Sequence, residues 1–215
     1  MKSKLNALFS ALFTVLVAAG SANAATIYSQ QVNLNDYGAH FADNPSYTMY
    51  DDFRLGTNAS ANSLTIWGTY WTNGVVPNPT NFLVSFHTTE NSWASPFFSS
   101  VVTASSIVDT GADHNGWNGA NILAITLDLG SNVSFLANTN YWLGIQAQNP
   151  LGNSFAWQNS FVSNNLYYQN NSRITGQADV AFELNSNNAV PEPASLALLG
   201  IGLTGLAALR RRKVR

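Results

Sequence analysis

The sequence predicts an all-β fold, a single antiparallel β-sandwich of the Ig-like or jelly-roll type, flanked by an N-terminal signal peptide and a C-terminal single transmembrane helix. About ten short segments alternate apolar and polar residues with the two-residue period of a half-buried strand. Turn-forming clusters rich in Asn, Gly and Pro separate these segments, and no stretch between the two ends keeps a helical period. Many short strands joined by polar turns are typical of antiparallel sandwiches.

Residues 1–24 have the three parts of an export signal. Two lysines open the segment, an apolar stretch follows, and small residues including Ala22 and Ala24 form a cleavage site. The segment therefore predicts passage through the export machinery and cleavage by signal peptidase. The mature chain should begin at Ala25.

One domain is predicted for residues 25–184, because this length suffices for a single hydrophobic core. Its clearest strand is 63–71, where apolar and polar residues alternate without a break. The predicted strands cover 26–32, 47–55, 63–71, 80–88, 97–103, 106–109, 121–129, 140–148, 154–158, 166–169 and 178–184. Residues 185–190 are predicted to form a linker to the tail.

The domain is acidic and carries few charges. Between residues 25 and 190 only Arg54 and Arg173 are cations, against ten acids, which gives a net charge of −8 where the full chain has −2. Nucleic acids and anionic membrane surfaces bind through many cations, so the composition disfavours both as partners. The chain has no cysteine, and its stability must come from the core without disulfides.

The last 25 residues combine three elements in a fixed order. Pro191, Glu192 and Pro193 come first, an apolar segment at 194–209 follows, and a basic tail at 210–215 ends the chain. A helix of 16 residues reaches about 24 Å at ~1.5 Å per residue, which makes 194–209 a short candidate for a transmembrane helix. The positive-inside rule keeps the basic tail cytoplasmic. The cations of that tail are Arg210, Arg211, Arg212, Lys213 and Arg215.

This order of tripeptide, apolar helix and basic end resembles the PEP-CTERM sorting signal of exported bacterial proteins. The resemblance covers about 25 of 215 residues. It implies recognition by an exosortase, transient anchoring in the inner membrane, removal of the helix, and a final location at the cell surface or outside the cell. It also implies a bacterium that makes exopolysaccharide.

Tryptophans are the most informative candidates for ligand binding. Flat aromatic rings stack on sugars, and neighbouring polar groups bond the hydroxyls. Trp93 and Trp117 lie in loop-like surroundings, so they are the candidate sugar-binding residues, with core packing as the alternative. Trp67 and Trp142 lie within predicted strands, and we expect both in the core.

One loop offers ligands for calcium. Asp109, Asp113 and Asn115 place hard oxygen atoms close together around a glycine, which is how calcium is held. Ordinary turn chemistry explains the same residues. The sequence predicts no other cofactor.

The remaining acids and histidines show no catalytic pattern. Asp51 and Asp52 are neighbours and should point to opposite faces of a strand, so a glycosidase pair would need Glu90 or Glu183 as a partner in space. The alternative is a carboxylate that bonds to turn backbone or to Arg54.

The three histidines, His40, His87 and His114, lie far apart in the sequence and outside any metal-binding spacing. On its predicted strand, His87 should face solvent.

Three functions remain open. The first is a non-enzymatic surface or extracellular-matrix protein whose sandwich associates with exopolysaccharide or other envelope material. The second is a secreted polysaccharide hydrolase, and the third is a structural or adhesive unit without a small ligand. The fold alone does not choose among them, and the absence of a catalytic motif favours the non-enzymatic functions.

Overall fold

In a computed structural model of the protein, the described residues form strands and the turns that join them, without a helix. None of them offers a helix that is long and apolar enough to cross a membrane. The predicted signal peptide up to residue 23 and the predicted transmembrane helix at 194–209 lie outside the described residues. The structure describes residues 24–35, 38–43, 47–71, 76, 80–90, 93–114, 120–148, 154–162, 167–170, 172–174 and 179–186.

Twelve strands are seen in this part of the chain. They are β1 (Ala25–Gln30), β2 (Ala39–Phe41), β3 (Met49–Arg54), β4 (Ala59–Tyr70), β5 (Asn81–His87), β6 (Phe98–His114), β7 (Ala120–Phe135), β8 (Asn140–Ala147), β9 (Phe155–Gln158), β10 (Tyr167–Gln169), β11 (Ser172–Ile174) and β12 (Phe182–Ser186). Residues 26–187 form one compact unit, which contains these strands apart from the first residue of β1.

The strands follow one continuous order, β1-β12-β4-β7-β6-β5-β8-β3-β10-β11. The ladders with a defined register are antiparallel, in agreement with the all-β prediction. Strand β6 belongs to two sheets, because its first half pairs with β5 and its second half pairs with β7. The first sheet consists of β1, β12, β4, β7 and the second half of β6, and β9 and β2 extend it beside β4. The second sheet consists of the first half of β6 followed by β5, β8, β3, β10 and β11.

The inner faces of the two sheets meet in one hydrophobic core. Phe53 of the second sheet lies with its ring centroid 5.7 Å from that of Phe182 in the first sheet. Phe82 and Phe155 meet across the sheets in the same way, at 5.0 Å. Edge-to-face contacts of this kind stabilise a core beyond the apolar area that they bury. The architecture is the predicted sandwich.

The strand boundaries differ from the prediction where pairing extends beyond the alternating pattern. The segments 97–103 and 106–109, predicted as two weak strands, form the single strand β6. Asn185 and Ser186 were expected in the linker, yet they belong to β12, because Asn185 pairs with Ser63 of β4. The short strands β2 and β11 were not predicted, since three residues are too few to show a period.

Candidate functional site

Some of the residues that the sequence marks as functional lie in the described part of the chain. Trp93, Asp109 and Asp113 are among them. The candidates outside the described residues are Ala22, Asn115, Trp117, the tripeptide at 191–193 and the basic residues of 210–215.

Trp93 belongs to an aromatic cluster on the outer face of the second sheet, formed with Tyr50, His87 and Tyr168. Its indole stacks on the Tyr50 ring with centroids 4.0 Å apart and an interplanar angle of 23°. His87 meets the indole edge-on at 5.5 Å, and the Tyr168 ring lies at 5.1 Å. Tyr50 and Tyr168 are buried, whereas Trp93 is partly exposed. The predicted sugar-binding residue is thus less exposed than expected, because one face of its ring is covered by Tyr50.

The strand register builds the floor of this aromatic cluster. Tyr168 pairs with Tyr50, Tyr50 with Gly144, and Gly144 with Ser85, so these four residues form a row across four strands. A β-carbon on Gly144 would lie 2.6 Å from Cε1 of Tyr50, which no real side chain tolerates. Glycine is therefore required at position 144, since it lets the Tyr50 ring lie flat against the sheet.

His87 does not face solvent as predicted. The side chain is fully buried, its Nε2 lies 3.0 Å from the Ser85 hydroxyl, and the Tyr50 ring packs against it with centroids 5.4 Å apart. The alternation on β5 correctly places His87 opposite the core residues. However, Trp93 covers that outer face, and an alternation pattern carries no information about such a loop.

Two indole N–H groups near the aromatic cluster are buried without a hydrogen-bond acceptor among the described residues. They belong to Trp93 and Trp142. Trp142 was expected in the core; it is buried, at 7% exposed, but on the outer face of the second sheet, because it pairs with Asp52 on one side and His87 on the other. A buried donor without an acceptor costs free energy, so each of these N–H groups lowers the stability of the folded state.

A second polar group lies inside the sandwich. Asp51 points into the core, opposite to Asp52, and its carboxylate accepts hydrogen bonds from the backbone N–H of Asp52 and Val180, both at 3.1 Å. Burial raises the pKa of Asp51 well above its ordinary value, and the negative charges of Asp179 and Asp52 raise it further. Asp179 is itself fully buried. This pair of acids lies in the interior and not in a cleft that a substrate could enter.

Asp109 is held by the turn chemistry that the sequence offered as the alternative to calcium. One carboxylate oxygen accepts the N–H of Gly111 at 2.8 Å, and the other accepts the side-chain amide of Asn121. The strand bulges at this point, and Gly111 has a φ of 74°. The described residues contain no group of three or more acids or histidines placed to hold a metal.

Trp67 is not in the core as predicted. It lies on the outer face of the first sheet, where it is partly exposed, while its neighbours Leu64 and Ile66 are fully buried on the inner face. Nothing among the described residues covers it with an aromatic ring. The alternation within β4 was correct, and the error lay in assuming that a tryptophan in a strand must face inward.

The comparison with protein families concerns the C-terminal region. Residues 189–213 match the PEP-CTERM protein-sorting motif. The chain is thus an exported protein of the class that an exosortase sorts, and its destination is the cell envelope or surface. Exosortase is its processing partner. No curated protein matches the chain.

Proposed function

We propose that this chain is a non-enzymatic surface or extracellular-matrix protein whose β-sandwich associates with exopolysaccharide. In this proposal residues 1–24 are removed after export, and the helix at 194–209 anchors the chain in the inner membrane until the exosortase acts. Residues 187–190 connect the sandwich to the motif. Calcium at the Asp109 loop would share the Asp109 carboxylate with the hydrogen bonds that it already accepts.

The observation that carries the proposal is the partly exposed indole of Trp93. Its ring is fixed by stacking on Tyr50, and a ring held in place loses little entropy when a sugar stacks on its free face. The indole N–H of Trp93 is buried, so the proposed contact is made by the exposed part of the ring. The interior position of Asp51 and Asp179 gives a hydrolase reading no support. Trp117 is a second candidate contact from the sequence.

Calorimetric titration of the full chain in detergent with the exopolysaccharide of the producing bacterium tests the proposal. We expect saturable binding that weakens about tenfold in Trp93→Ala, because the loss of one stacking ring is worth about 1.4 kcal/mol. The titration is repeated with calcium and with chelator. Heat that continues after saturation, together with new reducing ends, would instead identify a hydrolase. The absence of any heat would leave a structural or adhesive protein.

A further inference from the structure

We propose that the outer face of the first sheet is a flat binding platform for an uncharged polysaccharide strand, with Trp67 as its aromatic contact. This inference rests on the proposed association with exopolysaccharide, but it concerns a different surface from Trp93. It also names a class of ligand, a neutral chain of sugars that lies across the strands.

An apolar row crosses the middle of this platform. Trp67 of β4 pairs with Ala124 of β7, and Ala124 pairs with Val108 of β6. Residues that pair directly point to the same face of a sheet. Ala124 is small, and Val108 is 56% exposed, so no bulky side chain in the row rises beside the indole. A flat ligand could therefore reach Trp67 from the side of β7 and β6.

A polar row runs beside the apolar row, two residues along each strand. Glu183 of β12 pairs with Thr65, Thr65 with Thr126, and Thr126 with Ser106. The two threonine hydroxyls lie 3.4 Å apart, and Ser29 of β1 donates to the Glu183 carboxylate at 3.0 Å. These polar side chains, four hydroxyls and one carboxylate, continue across five strands, a width of about 19 Å at ~4.8 Å per strand. A sugar ring has an apolar face and hydroxyl groups around its edge. An indole beside a row of polar side chains can contact both.

Part of the Trp67 side chain is exposed on this face. It makes no ring contact and no hydrogen bond with any residue in the described ranges, and its N–H is not among the buried donors that lack an acceptor. This distinguishes it from Trp93, which is stacked, and from Trp157, whose N–H donates to the carbonyl oxygen of Ala181 at 2.7 Å. The exposed part of the Trp67 ring is the surface on which a sugar would stack.

Charge determines the class of polysaccharide. The platform carries the carboxylate of Glu183, and the exposed Asp128 follows on β7, where it pairs with Ser63. The two cations of the mature domain, Arg54 and Arg173, lie in β3 and β11 of the other sheet. An acidic polysaccharide would meet only like charge on this face, whereas a neutral one would not.

Affinity electrophoresis of the full chain in gels with a soluble neutral glucan, or with a polyuronate of similar length, tests this inference. We expect retardation by the glucan, a weakening of about tenfold in Trp67→Ala, and partial retention of binding in Trp67→Tyr, which keeps a stacking ring. Thr126→Val should also weaken binding, because it removes a hydroxyl of the polar row. The matched control is Thr103→Val, because Thr103 makes a similar exposed cross-strand hydrogen bond to Asn81 of the second sheet. Trp93→Ala is not a control, since it removes the ring of the proposed function, and it serves only to tell the two sites apart. Equal thermal midpoints among the variants show that each has folded.

The outcomes separate this inference from the proposed function. Binding of the glucan that survives in Trp67→Ala but is lost in Trp93→Ala would overturn the platform and leave the proposed function intact. Stronger retardation by the polyuronate would overturn the neutral class of ligand. If neither glucan nor the natural exopolysaccharide binds the unsubstituted chain, the proposed function fails and the platform fails with it.

Discussion

At the scale of single residues, the most unusual feature is Asp51, an acid fully buried beside the buried Asp179. The charges that act on Asp51 within the described part of the chain, those of Asp179 and Asp52, are both negative. Tyr28 lies in the same region, and its pKa is raised to about 12, mainly by burial and further by these acids. Two ionised carboxylates in one interior would repel each other, so the folded state favours a proton on Asp51.

This arrangement predicts that stability falls as pH rises. The pKa of Asp51 is raised in the folded state from its ordinary 3.8, so the folded protein binds the proton more tightly than the unfolded chain. The stabilisation is complete below pH 3.8 and is lost as pH rises through the folded pKa. The free energy of unfolding in urea, measured from pH 4 upward, should decline in the unsubstituted protein.

The variant Asp51→Asn should flatten this decline, because asparagine does not ionise. A smaller slope should remain from Asp43, whose pKa is also raised by burial. Asp128 is exposed on β7, so Asp128→Asn is the matched control and should keep the full slope. If the free energy of unfolding declined with pH equally in the unsubstituted protein and in Asp51→Asn, Asp51 and Asp179 would not be the source of the decline.

At the scale of elements, β6 determines how the two sheets are connected. The strand leaves the second sheet at residue 103 and joins the first sheet at Ala104, where the register shifts. It then bulges between Asp109 and Asp113, and the carboxylate of Asp109 bonds Gly111 and Asn121 to hold the bulge. A bulge of this kind bends an edge strand and makes it a poorer template for pairing with another chain.

The bulge predicts different effects for its two acids. Asp109→Ala should lower the midpoint of thermal unfolding, because the N–H of Gly111 and the amide of Asn121 both lose their acceptor. Asp113→Ala should leave the midpoint nearly unchanged, since the side chain of Asp113 is exposed and makes no hydrogen bond within the described ranges, while its backbone keeps its place opposite Asn121. Thermal melts with calcium and with chelator complete the comparison. A calcium-dependent rise that both substitutions abolish equally would show that the loop is a calcium site.

The strands were predictable to the extent that their patterns are local. Strand β8 alternates along its whole length, and its prediction at 140–148 agrees with Asn140–Ala147. Strand β7 extends to Phe135, beyond the predicted end at 129, because Phe135 pairs with Ala59 and packs against Phe53. Such pairing depends on contacts distant in sequence, which a local period cannot show.

At the scale of the whole molecule, the sandwich is held together without disulfides by an aromatic core. Phe53 lies at its centre and makes ring contacts with Phe86, Phe135, Tyr141 and Phe182. These rings come from both sheets, so their packing fixes the sheets against each other. The absence of cysteine therefore fits an exported protein whose core is sufficient.

The candidate sites were less predictable than the fold. The sequence singled out Trp93, but not its stacking on Tyr50 or the loop that buries His87, because these contacts join separate strands. It placed Trp67 on the correct strand and the wrong side of the sheet. The pairing of Asp51 with Asp179 had no local signal at all, since 128 residues of sequence separate them.

Intact-mass measurement of the protein recovered from washed exopolysaccharide of the producing cells tests the central claim most directly. We predict a species that begins at Ala25 and lacks the helix at 194–209, bound to the polysaccharide after salt washes. That result would show that the sorted protein reaches the exopolysaccharide and stays bound to it. A chain found only in membranes with its tail intact, or absent from the polysaccharide, would contradict the claim that the sandwich is delivered to exopolysaccharide and associates with it.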